Sequence, residues 1–245
     1  MKINTVLFDM GGTLENISYD DEIRLKACQE MLGFLKDRSI KLEVSDEVFW
    51  KVLRKRNEEY VKWTERTMRE AQPFEIWSKW NLKDYNIADN RLKEISEALA
   101  AMWEIKFYKR ECKKEAPAVL KNLKNRGYQL GIVSNTTSRT QVFNLLKAYG
   151  INQYFACISL SSIHGYRKPK ASIFLEALDA IGSVPERSAY IGDTVSRDIA
   201  GSKAAGFALA IQIKSSLTGL KDVNAGGISP DYIIENLNEL LDILP

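Results

Sequence analysis

From about residue 113 to the C-terminus, short runs of branched apolar residues alternate with amphipathic helical stretches. Few folds accommodate that alternation. Strands joined by helical crossovers pair in parallel, and a parallel sheet must be covered by helices on both faces. The spacing predicts strands over residues 129–134, 156–160, 189–191 and 208–213. Helices are predicted over 117–126, 139–149, 171–181, 197–205 and 237–243. Gly127 and Gly150 follow the first two of these helices, where a left-handed C-cap is expected.

One more strand opens the chain. Residues 3–8 are an apolar run that breaks into D-M-G-G-T-L, so the strand delivers Asp9 to its C-terminal end. The two glycines that follow let backbone amides close around a bound anion. Residues 20–107 then lack strand alternation and carry helical spacing: Ile23, Ala27, Met31, Leu32 and Leu35 recur three or four apart. Ser45, with Asp46 and Glu47 behind it, is placed to start a second helix, and Pro73 a third; residues 87–107 make a fourth. All five tryptophans lie in this block, either as filling for a small bundle or as walls for an aromatic group. Its basic residues from Lys51 to Arg69 are interleaved with Glu58, Glu59, Glu65 and Glu70, the texture of a solvated helix face. The expected architecture is therefore α/β: a Rossmann-like parallel sheet core with helices on both faces, plus a smaller all-helical cap domain inserted after the first strand. The core takes residues 1–16 and 106–245, the cap 17–105.

At 245 residues the chain can bury a sizeable core. Its net charge of +3 makes no case for a nucleic-acid partner. No apolar stretch reaches the roughly 18–20 residues that cross a bilayer, and the short N-terminal run stops at Asp9, which does not read as a cleaved signal. Cys28, Cys112 and Cys157 are far apart and odd in number, the usage of a reducing compartment. The expected setting is the cytoplasm, with no membrane partner; oligomeric state is not legible.

In an open α/β sheet, ligands bind beyond the carboxyl ends of the strands. Asp9 sits there, as do Ser134 and Asn135 in V-S-N-T, Lys168 in G-Y-R-K-P-K, and Asp193 in Y-I-G-D, with Asp198 five residues on. Singly, each has an ordinary structural alternative: an aspartate as helix N-cap, Ser-Asn as a turn, Lys-Pro as a loop. In this order, F-D-M-G-G-T-L, I-V-S-N-T, G-Y-R-K-P-K-A-S-I-F and I-G-D-T-V-S-R-D-I-A-G-S-K-A-A-G resemble the four signatures of the haloacid dehalogenase-like hydrolases, a superfamily composed mainly of magnesium-dependent phosphatases. The closing P-D-Y-I-I-E-N-L-N-E-L is similar to the family's last strand and helix. The resemblance implies that Asp9 is the nucleophile and Lys168 its catalytic cation. It further implies substrate contacts at Gly12, Thr13, Ser134 and Asn135, and Mg²⁺ held by Asp9, the backbone carbonyl of Gly11 and Asp193. Asp198 would orient Lys168 or a metal-bound water. The substrate implied is a small phosphorylated metabolite.

Gly11 departs from that pattern. Most phosphatases of the family carry a second aspartate there, which protonates the leaving group and then activates water. Glycine can do neither, and such assistance is worth about 10²–10⁴-fold. Three readings stay open. One is a phosphohydrolase that prefers activated leaving groups or recruits another acid, from Glu15, Asp20, Asp21, His164 or a metal-bound water. Another is a phosphate-binding or regulatory protein that keeps the fold but little catalysis. The third is a 2-haloacid dehalogenase, against which Asp193 counts, because those enzymes work without metal and place Ser-Asn at Gly192-Asp193 and tyrosine at Gly11.

Overall fold

The computed structural model describes residues 2–216 and 227–245; residues 1 and 217–226 of the expected core lie outside the described residues. Among the described residues a six-stranded sheet, all parallel, runs in the order β5-β4-β1-β6-β7-β8. Its strands are β1 (Thr5–Phe8), β4 (Gln129–Ser134), β5 (Phe155–Leu160), β6 (Ser188–Gly192), β7 (Leu209–Ile213) and β8 (Tyr232–Ile234). The chain builds outward from β1 through β4 to β5, crosses back, and continues from β6 to β8 on the other side. The strand order therefore reverses at β1, which has β4 and β6 as its neighbours.

Alternation along β1 explains the layering. Val6 and Phe8 point to one face, where they join side chains of α5 (Ala116–Asn125), α6 (Gln141–Ala148) and the last helix, α10 (Leu240–Ile243). Leu7 points to the other, packing with Tyr190, Phe207 and α8 (Ala171–Ile181). All four residues of β1 are buried, the pattern of a central parallel strand. Gly127 and Gly150 adopt positive φ of 88° and 66° just past α5 and α6, as their spacing predicts.

Residues 21–106 form α1 (Asp21–Asp37), α2 (Asp46–Thr67), α3 (Pro73–Ile76) and α4 (Asp89–Lys106) around a hydrophobic cluster of their own. Ser45 caps α2 by accepting from the Val48 amide, and Pro73 opens α3. α3 ends after one turn and passes into a π-helical turn, Trp77–Asn81. Trp77 is fully buried in this cluster, while Trp50, Trp63 and Trp80 pack against its edge. No helix of the described residues is long and apolar enough to cross a membrane.

Two strands escape the periodicity. β2 (Glu15–Ser18) and β3 (Lys109–Cys112) pair antiparallel where the chain leaves the sheet and where it returns. The boundary expected between residues 16 and 17 falls inside β2, and that between 105 and 106 cuts the last turn of α4, ahead of β3. Each strand has four residues, too few for alternation to register, and the pairing joins segments about ninety residues apart. The predicted helix over 197–205 also starts differently: a π-helical turn, Val195–Ile199, precedes α9 (Ala200–Ala204).

Candidate active site

The reversal of strand order brings the ends of β1, β4 and β6 together, and the sequence-predicted polar groups converge there. Asp9 follows β1 directly, its amide bonded to the Ile191 carbonyl of β6 at 2.8 Å. Past it, the Met10 carbonyl accepts from the amides of Leu14 and Glu15, and Gly12, at φ 90°, bonds back to the Glu15 carbonyl. This turn leads into β2. A Cβ on Gly12 would lie 2.2 Å from Asp193 Oδ2, so glycine is what lets the turn approach that carboxylate.

Lys168 is the hub. Its ammonium donates to Asp9 Oδ1 at 2.7 Å, Asp198 Oδ1 at 2.6 Å and the Tyr190 hydroxyl at 2.9 Å, and it is 4% exposed. Burial alone would lower its pKa; Asp198 and Asp9 outweigh burial and raise it, so it stays an ammonium. Burial likewise pushes the Asp198 carboxyl up, but Lys168, Thr194 and Arg197 pull it below its ordinary range. Tyr190 goes far up, by burial first and then by Asp198 and Asp9, which keeps its phenol a neutral donor. The wide turn Val195–Ile199 faces Asp198 inward: its Oδ2 accepts from the Thr194 amide and hydroxyl at 3.0 and 2.5 Å.

Asn135 holds the Lys168 loop. Its side-chain oxygen accepts from the Lys168 amide at 2.9 Å, and its NH₂ donates to the Lys168 carbonyl at 3.1 Å. Both polar ends of that side chain are thus committed to positioning. Ser134 ends β4 and its hydroxyl makes no hydrogen bond among the described residues.

Asp9, Gly11, Ser134, Asn135, Lys168, Asp193 and Asp198 all line one cavity of about 320 Å³. Gly12 and Thr13 lie behind its wall; the Thr13 hydroxyl is buried and makes no hydrogen bond among the described residues. Each of Asp9, Asp193 and Asp198 offers a carboxylate oxygen within 4.8 Å of the others, an all-oxygen set that suits a hard divalent cation. Asp198 has both oxygens engaged by Lys168, Tyr190 and Thr194; Asp9 and Asp193 are carboxylates that could hold a metal beside it. Asp193 is steadied by Ser215, whose hydroxyl donates to Oδ2 at 2.8 Å, and by Gln212 at its carbonyl.

The replacement acids considered from sequence do not line the cavity. Glu15 is fully buried, tied to Arg110 Nη1 at 2.9 Å and to the Tyr149 hydroxyl at 2.8 Å. Asp20 is the N-cap of α1, Asp21 is exposed, and His164 accepts from the Tyr166 amide.

The helical block roofs the cavity through Tyr19, Arg24, Asn57, Tyr60, Val61 and Trp103. Periodicity could not find the carboxylates that seat this block on the sheet. Glu70, read as part of a solvated face, is buried and bonds Arg167, Ser161 and Tyr60. Glu97 accepts from the amides of Arg139 and Thr140 and the hydroxyl of Ser138, ahead of α6. Glu104 accepts from the Thr137 amide and hydroxyl, both at 2.9 Å, and pairs with Arg110. Their partners between Thr137 and Arg167 lie 33 to 97 residues away in sequence, where helical spacing carries no signal.

A family model described as haloacid dehalogenase-like hydrolase matches residues 3–206. The glyceraldehyde 3-phosphate phosphatase of Methanopyrus kandleri is 26% identical over 99% of this chain and 97% of its own length. Among solved structures, a 2-haloacid dehalogenase from Pseudomonas syringae pv. Tomato DC3000 superposes with a TM-score of 0.66 at 23% identity, over 99% of this chain and 98% of that one. An HAD phosphatase from Thermococcus onnurineus superposes with a TM-score of 0.59 at 23% identity, over 100% and 98% of the two chains. Both structural likenesses speak for the fold.

Proposed function

The chain belongs to the haloacid dehalogenase-like hydrolases, and from that premise we propose that it is a Mg²⁺-dependent phosphohydrolase acting through an aspartyl-phosphate at Asp9. The observation that carries this reading is one ammonium, Lys168, bonded to both Asp9 and Asp198, with Asp193 in the same cluster on the cavity wall. A site with three carboxylates and one ammonium is short of positive charge, and a bound Mg²⁺ supplies it and screens the approach of an anionic phosphoryl group.

The chain's own residues divide the work. Lys168 holds Asp9 through Oδ1, leaving Oδ2 to attack phosphorus while the bond to the leaving oxygen breaks. The Ser134 hydroxyl and the amides of the turn after Asp9 take the phosphoryl oxygens, and Lys168 offsets their charge. Water then attacks the phosphorus of the acyl phosphate, releasing phosphate and restoring the Asp9 carboxylate. Residues 17–105 act as a cap that excludes bulk water during both steps. The cavity's 320 Å³ fits a small metabolite.

Because residue 11 is glycine, the leaving group departs without a proton from that position. Aryl phosphates, acyl phosphates and anhydrides should therefore turn over well ahead of alkyl esters. The test is phosphate release from 4-nitrophenyl phosphate and glycerol 3-phosphate, with Mg²⁺ and with EDTA, in the wild type and in Asp9→Asn. The expected result is Mg²⁺-dependent release, faster from the aryl ester and lost in Asp9→Asn. Equal rates from both esters, or release that persists in EDTA, would count against the mechanism; chloride freed from chloroacetate in EDTA would favour dehalogenation instead. A regulatory reading draws support from Gly11, which offers no base at that position and is covered by Ile17. Chasing a labelled Asp9 adduct separates the two, since hydrolysis within seconds excludes a lasting phospho-switch.

A further inference from the structure

Arg24 is an arginine inside the protein whose partners do not account for its charge. It is 6% exposed, lines the same cavity as Asp9, and makes no ion pair among the described residues. Aromatic rings surround it instead: its guanidinium carbon lies 4.3 Å from the Tyr108 ring centre, 4.4 Å from Tyr19, 5.3 Å from Trp50 and 5.9 Å from Trp103. Ring electrons stabilise the cation, but they do not replace oxygen acceptors for the N–H bonds that radiate in the guanidinium plane. The Tyr108 hydroxyl is its polar neighbour. Three other cations on the cavity wall have ion-pair partners, Lys168 with Asp9 and Asp198, Arg110 with Glu104 and Glu15, Arg167 with Glu70; Arg197, half-buried on the same wall, acts on Asp198 through its charge.

A buried cation among aromatic rings, beside a cavity and without a carboxylate of its own, is a receptor for an anion. We propose that Arg24 binds a second anionic group of the substrate, a carboxylate or a further phosphate, at the end remote from the phosphoryl group that Asp9 receives. The inference rests on the phosphohydrolase reading and narrows it, from small phosphate esters in general to those carrying two separated anionic groups. Arg24 is a specificity residue here.

Three probes read the subsite: ethylphosphonate, which has one anionic end, and phosphonoacetate and methylenediphosphonate, which have two. Their inhibition of 4-nitrophenyl phosphate turnover is measured at fixed free Mg²⁺. One of the two doubly anionic compounds is expected to inhibit at concentrations about ten- to hundredfold lower than ethylphosphonate, the worth of a charge-assisted hydrogen bond; which one it is separates carboxylate from phosphate. Arg24→Gln should abolish that advantage and Arg24→Lys should keep part of it, with the near-ultraviolet circular dichroism of the aromatic rings preserved. Equal inhibition by all three compounds in the wild type overturns the proposal without any variant, as does a preference that survives Arg24→Gln. If 4-nitrophenyl phosphate is not turned over, the phosphohydrolase reading fails by itself. Calorimetric titration of the same compounds then decides the Arg24 subsite separately.

Discussion

Position 11 is open for a side chain only if its neighbours give way. A Cβ there would sit 2.7 Å from Ile17 Cδ1 and 3.6 Å from Arg110 Nη1. The first contact is the far end of a flexible side chain, so it yields by rotation; the second would hold a new carboxylate in its charged form. Gly11→Asp is therefore expected to restore the base that activates water more than the acid that protonates a leaving group. Hydrolysis of the aspartyl-phosphate should accelerate, by about 10²-fold or more, with the larger gain in the Gly11→Asp/Ile17→Ala double variant. Single-turnover kinetics on 4-nitrophenyl phosphate measure this step. A folded, Mg²⁺-binding double variant with unchanged dephosphorylation would show that residue 11 does not limit turnover.

Among the elements, α4 does the most to seat the helical block on the sheet, because two of its carboxylates reach the loop after β4. Glu97 accepts the backbone N–H groups of Arg139 and Thr140 and the hydroxyl of Ser138, whose oxygen in turn accepts from the Gln141 amide that opens α6. Removing it with Glu97→Ala should cost about 1–3 kcal/mol, the value of hydrogen bonds to a charged acceptor, and lower the melting temperature by roughly 2–12 °C for a chain of this size. Hydrogen exchange should quicken at the start of α6 and not at its end. A melting temperature unchanged within error would mean that the docking of α4 does not depend on this carboxylate. Beside it, Glu104 and Arg110 link α4 to the β2–β3 ribbon and to Thr137, so the crossing between block and sheet is braced by charge on both sides.

For the molecule as a whole, the three thiols set an alkaline limit to stability. Burial pushes Cys28 up to about 12, and Cys112 and Cys157 to about 11, from an ordinary 9.0. The unfolded chain loses these protons above pH 9 while the folded one keeps them, so stability present in full below pH 9 declines as pH rises toward the folded values. The melting temperature should fall between pH 9 and 11, and Cys28→Ala should make that fall shallower. An identical slope in the variant would remove Cys28 as a cause. The same shifts leave all three cysteines as thiols at neutral pH, which suits packing rather than reaction.

What the sequence by itself determined was periodic or punctual. Strands and helices after residue 113 announced themselves by apolar spacing, and Gly127 and Gly150 marked helix ends. Asp9, Ser134 and Asp193 stand where strands stop, a fixed place in a parallel sheet, but they and Lys168, eight residues past β5, stood out only together, through the order of four family-like signatures. Tertiary structure alone decided the rest. Tyr190 joins Lys168, Glu70 meets Arg167, β2 finds β3, and Arg24 enters its ring of aromatics only after segments distant in the chain have packed. A charge on a helix looks the same in sequence whether it faces water or a buried partner, since burial is a property of what lies opposite.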